Sequence, residues 1–142
     1  MKGMRRLVVA SIVSVLLLGS CGRSERRETN VQPPSPGVPA AVSDVQGIYR
    51  TIHQGLLQLR GNGTFALVIP EGPGPSGGRY TLENGTLTVV TDDCGETKGE
   101  YGVTVGGRPV AGEATLHFAT IHDACADRAK YLTIDPWVYA DS

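Results

Sequence analysis

The chain lacks most of the sequence features that identify an enzyme. It contains no Gly-x-Ser-x-Gly or His-Glu-x-x-His motif and no phosphate-binding glycine loop followed by a helix. Those motifs place a nucleophile, a zinc ligand pair or a phosphate cradle on a defined turn or helix. We therefore expect a protein that is not an enzyme and that needs no cofactor.

It also lacks a basic surface. Residues 45–142 contain 7 lysine and arginine residues against 11 aspartate and glutamate residues, with no basic stripe. Nucleic-acid binding depends on clustered positive charge, so this composition argues against it.

Long apolar runs are missing except at residues 7–18, which follow Lys2, Arg5 and Arg6. A run of about 12 residues is too short to span a bilayer, which takes roughly 20, so residues 1–20 are predicted to be a cleaved export signal. The segment Leu18-Gly19-Ser20-Cys21 resembles the lipobox of bacterial lipoproteins. The resemblance implies cleavage before Cys21, diacylation of its thiol and acylation of the new amino group.

Several acyl chains hold a protein firmly on a membrane. We therefore expect an envelope protein, anchored on the outer face of the cytoplasmic membrane or on the outer membrane of a two-membrane cell. Residues 21–44 would be the lipidated cysteine and a flexible, proline-rich tether, because four prolines and no regular apolar period occur there. The folded domain would comprise residues 45–142 and is expected to be monomeric.

Cysteine is scarce, with three residues in all. With Cys21 assigned to lipid, Cys94 and Cys125 remain as an even pair in an oxidising compartment, and we expect them to form a disulfide. Closing a loop of about 32 residues should contribute roughly 3–4 kcal/mol. A reactive pair or a metal-thiolate site is the alternative.

Nineteen glycines and nine prolines indicate many turns, and the apolar residues alternate with polar ones along short segments. Asn62-Gly63 and Asn84-Gly85 predict type I′ hairpin turns. The chain is therefore predicted to be an all-β antiparallel meander of about eight short strands that closes into a small barrel. One helical turn is expected at residues 124–130 with Asp123 as its N-cap, and strands are expected at Tyr131–Ile134 and Trp137–Tyr139.

A Gly-x-Tyr sequence opens three of the predicted strands, and the end of the chain carries an Asp-x-Cys…Arg…Leu…Pro-Trp pattern. Together with the Asn-Gly hairpins, these features resemble the small lipocalin-like barrels of bacterial lipoproteins. The three Gly-x-Tyr sequences also have a local explanation, since glycine ends turns and tyrosine favours strands. The residues that carry the resemblance are Gly47, Tyr49, Asp123, Cys125, Arg128, Leu132, Pro136 and Trp137.

An eight-stranded barrel can hold one small ligand or fill its interior with side chains. The first case predicts an envelope protein that binds a small apolar molecule; the second predicts a structural or interaction domain that presents its loops to an envelope or extracellular partner. The same inward-facing residues would line the ligand or form the core: Tyr49, Leu57, Phe65, Leu67, Tyr80, Leu87, Tyr101, Leu116 and Phe118.

An oxygen-rich cluster of Asp92, Asp93, His122 and Asp123 would gather near the disulfide and could hold a divalent cation. None of these residues shows a recognised metal-ligand spacing, so solvated turns are the preferred interpretation. His53 and His117 are expected to face outward from their strands.

Overall fold

A computed structural model describes residues 31–72, 74–134 and 136–141 as an eight-stranded antiparallel barrel with one α-helix, α1, at Ala126–Leu132. Short 3-10 turns occur at Val42–Asp44 and Asp92–Cys94. The strands are β1 (Gly47–Arg50), β2 (Leu56–Leu59), β3 (Thr64–Val68), β4 (Ser76–Glu83), β5 (Thr86–Thr91), β6 (Lys98–Gly106), β7 (Thr115–Asp123) and β8 (Trp137–Asp141).

Each strand pairs with the next one along the chain, and β8 returns to pair with β1. The predicted fold class is thus confirmed: an all-β meander closes into a barrel. Closure matters because it removes the unpaired edges that an open sheet would expose.

The Asn84–Gly85 turn has the predicted type I′ character, since both residues have positive φ, at 47° and 79°. The turn at Asn62 differs: only Gly63 has a positive φ there, at 78°. The Asn62 side chain accepts hydrogen bonds from the amide and hydroxyl of Thr64, at 3.0 and 2.7 Å. This side-chain bond stabilises a longer connection, in which the Gly63 amide donates to Arg60 O at 3.0 Å.

The barrel interior is the hydrophobic core. Strand alternation buries one face, as in β5, where Leu87, Val89 and Thr91 are buried and the residues between them are half-buried. The four largest fully buried side chains are Trp137, Tyr49, Tyr101 and Tyr139.

The predicted strand at Tyr131–Ile134 is wrong, because Tyr131 and Leu132 belong to α1. Arg128 and Leu132 lie four residues apart and are both buried, so they form the single inward face of this short helix. The helix begins after Cys125, not after Asp123. Asp123 instead accepts a hydrogen bond from the Cys125 amide, at 2.7 Å.

The two ends of the barrel are closed by different parts of the chain. We call one the helix end: it carries α1, the 92–97 loop and the turns after β1 and β3. The other, the strap end, carries the Asn84–Gly85 turn, the 107–114 loop and residues 31–46, which we call the strap.

The strap includes fourteen residues that the sequence assigns to a flexible tether. Gly37 forms a two-way bridge with Val105 of β6, with N–O distances of 2.8 and 2.9 Å. Gly85 donates to Pro39 O at 2.7 Å. Pro34 and Pro39 are buried, so this part of the proline-rich segment packs on the barrel instead of extending away from it.

The predicted export signal and Cys21 lie outside the described residues. Within the described part of the chain, no helix has the length and apolarity needed to cross a membrane.

Candidate functional site

The interior of the barrel, proposed above as either a ligand cavity or a core, is almost completely filled. All nine candidate residues are buried. Among the described residues, small cavities of about 20 Å³ and about 10 Å³ lie under α1 and deeper in the barrel, respectively. A cavity needs roughly 10–15 Å³ to hold one water molecule, whereas small-molecule pockets measure about 300–1,000 Å³. Leu132 lines both cavities, so the helix acts as a plug.

The hydroxyl groups of the core tyrosines bind protein groups at the barrel ends. Tyr49 donates to Val45 O at 2.7 Å, Tyr80 to Arg60 O at 2.9 Å and Tyr139 to Val31 O at 3.0 Å. Burial raises the pKa of Tyr80 to about 12. These three hydroxyls therefore help to hold the strap end in place.

The three Gly-x-Tyr sequences share a packing role in the structure. A Cβ at Gly47 would collide with the ring of Tyr139, one at Gly78 with Val90 O, and one at Gly99 with the Asp123 carboxylate. In each sequence, the tyrosine two residues later is buried. Each glycine thus permits a close approach beside an inward-facing tyrosine.

The helix end is built around a buried ion pair. Arg128 of α1 donates to both carboxylate oxygens of Asp123, each at 2.7 Å. Only 2% of the Arg128 side chain and none of the Asp123 side chain is exposed. Arg128 also donates to Thr91 Oγ1 at 3.1 Å and to the Thr97 carbonyl at 2.9 Å.

Hydrogen bonds stabilise the charged form of Asp123. Burial alone would raise the pKa of this carboxyl, but hydrogen bonds from Arg128, from the Tyr101 hydroxyl and from the Cys125 amide outweigh burial and hold the pKa below its usual value. Burial, followed by the neighbouring Asp123 carboxylate, raises the pKa of Tyr101. The pair is therefore ionised and saturated with partners at neutral pH.

The predicted disulfide is confirmed: Cys94 and Cys125 are bonded, with their Cα atoms 6.0 Å apart. Cys94 ends the 3-10 turn after β5, and Cys125 immediately precedes α1. The bond therefore joins the 92–97 loop to the start of the helix. Arg128 makes a second, non-covalent connection between the same two elements through Thr97.

The proposed acidic cluster is not assembled as a cation site. Asp123 is buried against Arg128, whereas Asp93 is exposed and accepts a hydrogen bond from Ser76 at 3.2 Å. Across residues 31–72, 74–134 and 136–141, no group of three or more His, Cys, Asp or Glu side chains has an arrangement suited to a metal ion.

Both predicted surface histidines are exposed. His53 lies in the turn between β1 and β2, and is not on a strand. His117 lies on β7, where its Nε2 is 3.0 Å from Thr115 Oγ1.

Two open grooves flank the strap on the outer surface. The first, of about 330 Å³, runs along the strap prolines. The second, of about 340 Å³, lies between Val31 and the adjoining parts of β1 and β2, beside Arg60. Both grooves are much larger than the interior cavities and lie outside the barrel.

Comparison of the chain with protein-family models, with curated proteins and with solved structures finds no match.

Proposed function

We propose that this chain is a lipid-anchored envelope protein whose barrel serves as an interaction domain. The observation that carries this proposal is the filled interior, with cavities of only about 20 and 10 Å³. A carrier of small molecules needs a cavity an order of magnitude larger. A filled barrel closed at both ends instead offers its loops and outer grooves to a partner.

Export and anchoring rest on the basic and apolar N-terminal segment and on the lipobox-like Leu18-Gly19-Ser20-Cys21. The paired state of Cys94 and Cys125 supports this placement, because disulfides persist in oxidising compartments outside the cytoplasm.

A Cys21→Ser substitution tests the anchor. We expect the wild-type protein to fractionate with membranes and to incorporate radiolabelled palmitate, and the variant to lose both properties. Cys94→Ser with Cys125→Ser is the matched control, since it removes the other two thiols and should leave labelling unchanged. Equal labelling of the wild type and the Cys21→Ser variant would overturn the anchor.

The second candidate function is binding of a small apolar molecule. It is favoured by the apolar residues around the cavity under α1, among them Phe65, Leu67 and Leu132. Such a ligand would have to displace the helix, because the cavity holds about one water molecule.

Xenon binding, followed by 129Xe NMR, separates the two functions. We expect no binding to the wild-type barrel and clear binding to Leu132→Ala, because that substitution enlarges the deeper cavity, whose walls are apolar. Native mass spectrometry of the purified wild-type protein should show the bare mass of the mature chain and its lipid. Xenon binding to the wild type, or a retained small molecule, would favour the ligand carrier.

A further inference from the structure

We infer that the strap end of the barrel faces the membrane and that the helix end points away from it. This inference rests on the proposed lipid anchoring at Cys21. It names the surface that the anchored domain exposes.

The first step is the attachment of the strap. Its residues are joined to three separate parts of the strap end: Gly37 to Val105, Pro39 to Gly85, and Val31 to Tyr139. Val45, at the base of the strap, is 1% exposed and accepts the Tyr49 hydroxyl bond. The first described residue, Val31, therefore lies at the strap end.

The second step is the reach of the remaining chain. Ten peptide links separate Cys21 from Val31. Whatever their conformation, they span at most about 35 Å. If the chain were free as far as Val45, its maximum reach would be about 80 Å. Docking of the strap thus removes more than half of the possible reach.

The third step is the length of the barrel. The nine-residue strands β6 and β7 are each about 30 Å long, and strands in such barrels tilt by 35–45°. The helix end therefore lies roughly 20–25 Å beyond the strap end along the barrel axis. Bringing the helix end to the bilayer would require residues 21–31 to run back along the barrel over roughly 60–70% of their maximum reach, whereas the opposite orientation requires none of it.

Paramagnetic relaxation enhancement tests this orientation without a spin label on the protein, because the paramagnetic ion is carried by a lipid. The lipidated protein is placed in nanodiscs that contain a gadolinium-chelating lipid, and amide signals are compared at the two ends. We expect Gly107 and Gly112, in the strap-end loop, to be broadened several-fold more than Gln54 and Gly95, at the helix end. Equal broadening at both ends, or greater broadening at the helix end, would overturn the orientation.

A linker variant provides the matched control. Inserting a flexible Gly/Ser segment of about 20 residues between Asn30 and Val31 lengthens the tether and leaves the strap intact. We expect this insertion to reduce the difference between the ends. If the wild-type protein shows no broadening at either end and behaves like Cys21→Ser, the lipid anchoring has failed. Broadening without a difference between the ends refutes the orientation alone.

Discussion

The two ends of the barrel are closed by different kinds of interaction. At the helix end, a disulfide joins the 92–97 loop to the start of α1, and a buried ion pair joins α1 to Asp123 of β7. Arg128 also donates to the Thr97 carbonyl of the loop. At the strap end, backbone hydrogen bonds and tyrosine hydroxyls hold the proline-rich strap against the barrel. Among the described residues, no disulfide or ion pair joins the strap to the barrel.

The difference indicates which end resists opening. Removing one partner of a buried ion pair, or a disulfide, typically costs several kcal/mol, whereas a single hydrogen bond contributes about 0.5–1.5 kcal/mol. The helix end should therefore open only when the whole domain unfolds. The strap end should open locally at lower free energy.

The largest effect should come from Asp123→Ala. The substitution leaves the guanidinium of Arg128 buried without its counter-charge, and we expect the free energy of unfolding to fall by about 3–5 kcal/mol. Urea denaturation followed by Trp137 fluorescence measures this loss, since Trp137 is the single tryptophan and its indole N–H donates to Leu132 O in α1.

Glu113→Ala is the matched control, because it breaks an exposed pair with Arg108, whose side chain is 78% exposed. That change should cost at most about 1 kcal/mol. The double variant Asp123→Leu with Arg128→Met should recover much of the loss, since it removes both buried charges. A single Asp123→Ala variant as stable as the Glu113→Ala control would contradict the ranking of the two ends.

The same ion pair predicts a pH dependence. The pKa of Asp123 is lower in the folded protein than in the unfolded chain. Its contribution to stability is therefore complete above the unfolded pKa and is lost as the pH falls through the folded pKa. Denaturation curves from pH 6 downward should show a smaller acid-induced loss of stability in Asp123→Asn than in the wild type. An equal loss in both proteins would show that Asp123 does not cause the acid sensitivity.

The next effect in size should come from the disulfide. Replacing Cys94 and Cys125 by alanine removes a cross-link between residues 31 positions apart in the sequence. The chain-entropy model predicts that the free energy of unfolding falls by about 3–4 kcal/mol. Because Arg128 still binds Asp123 and Thr97, α1 should stay docked under native conditions. The Trp137 emission maximum should therefore match the wild type before unfolding. A red-shifted native spectrum would show that the disulfide alone holds the helix.

Much of the barrel could be predicted from the sequence because its signals are local. Alternation along β3 and β5 and the Asn84–Gly85 turn each act over a few residues. The disulfide was predicted from the cysteine count together with the assignment of Cys21 to lipid. These features require no knowledge of what lies across the barrel.

The two segments that close the barrel ends, α1 and the strap, are held by tertiary contacts. Their structure therefore could not be fully predicted from the sequence. The strand predicted at Tyr131 forms helix because Arg128 and Leu132 share a buried face. The strap resembled a tether because its prolines suit an extended chain equally well when packed or free. One available signal was Thr91, which the alternation of Leu87 and Val89 places inside the barrel as a polar group in need of a partner.

The smallest effect should come from loosening the strap. Gly37→Pro removes the amide that donates to Val105 O, and proline cannot adopt the φ of 130° found at this position. We expect a loss of about 1–2 kcal/mol in global stability, since the freed groups lie at the surface and can bind water. Amide exchange at Val105 and Gly85 should accelerate, while exchange in α1 should not change.

Pro36→Ala is the control for this experiment. Pro36 is exposed, and its replacement leaves both hydrogen bonds between Gly37 and Val105 in place. Faster exchange at Val105 in Gly37→Pro but not in Pro36→Ala would establish the strap as a separately opening unit. If the strap variant instead lost as much stability as the cysteine variant, the two ends would be equally strong closures. The opening of either end would then require global unfolding, and the strap would be an integral part of the cooperative fold.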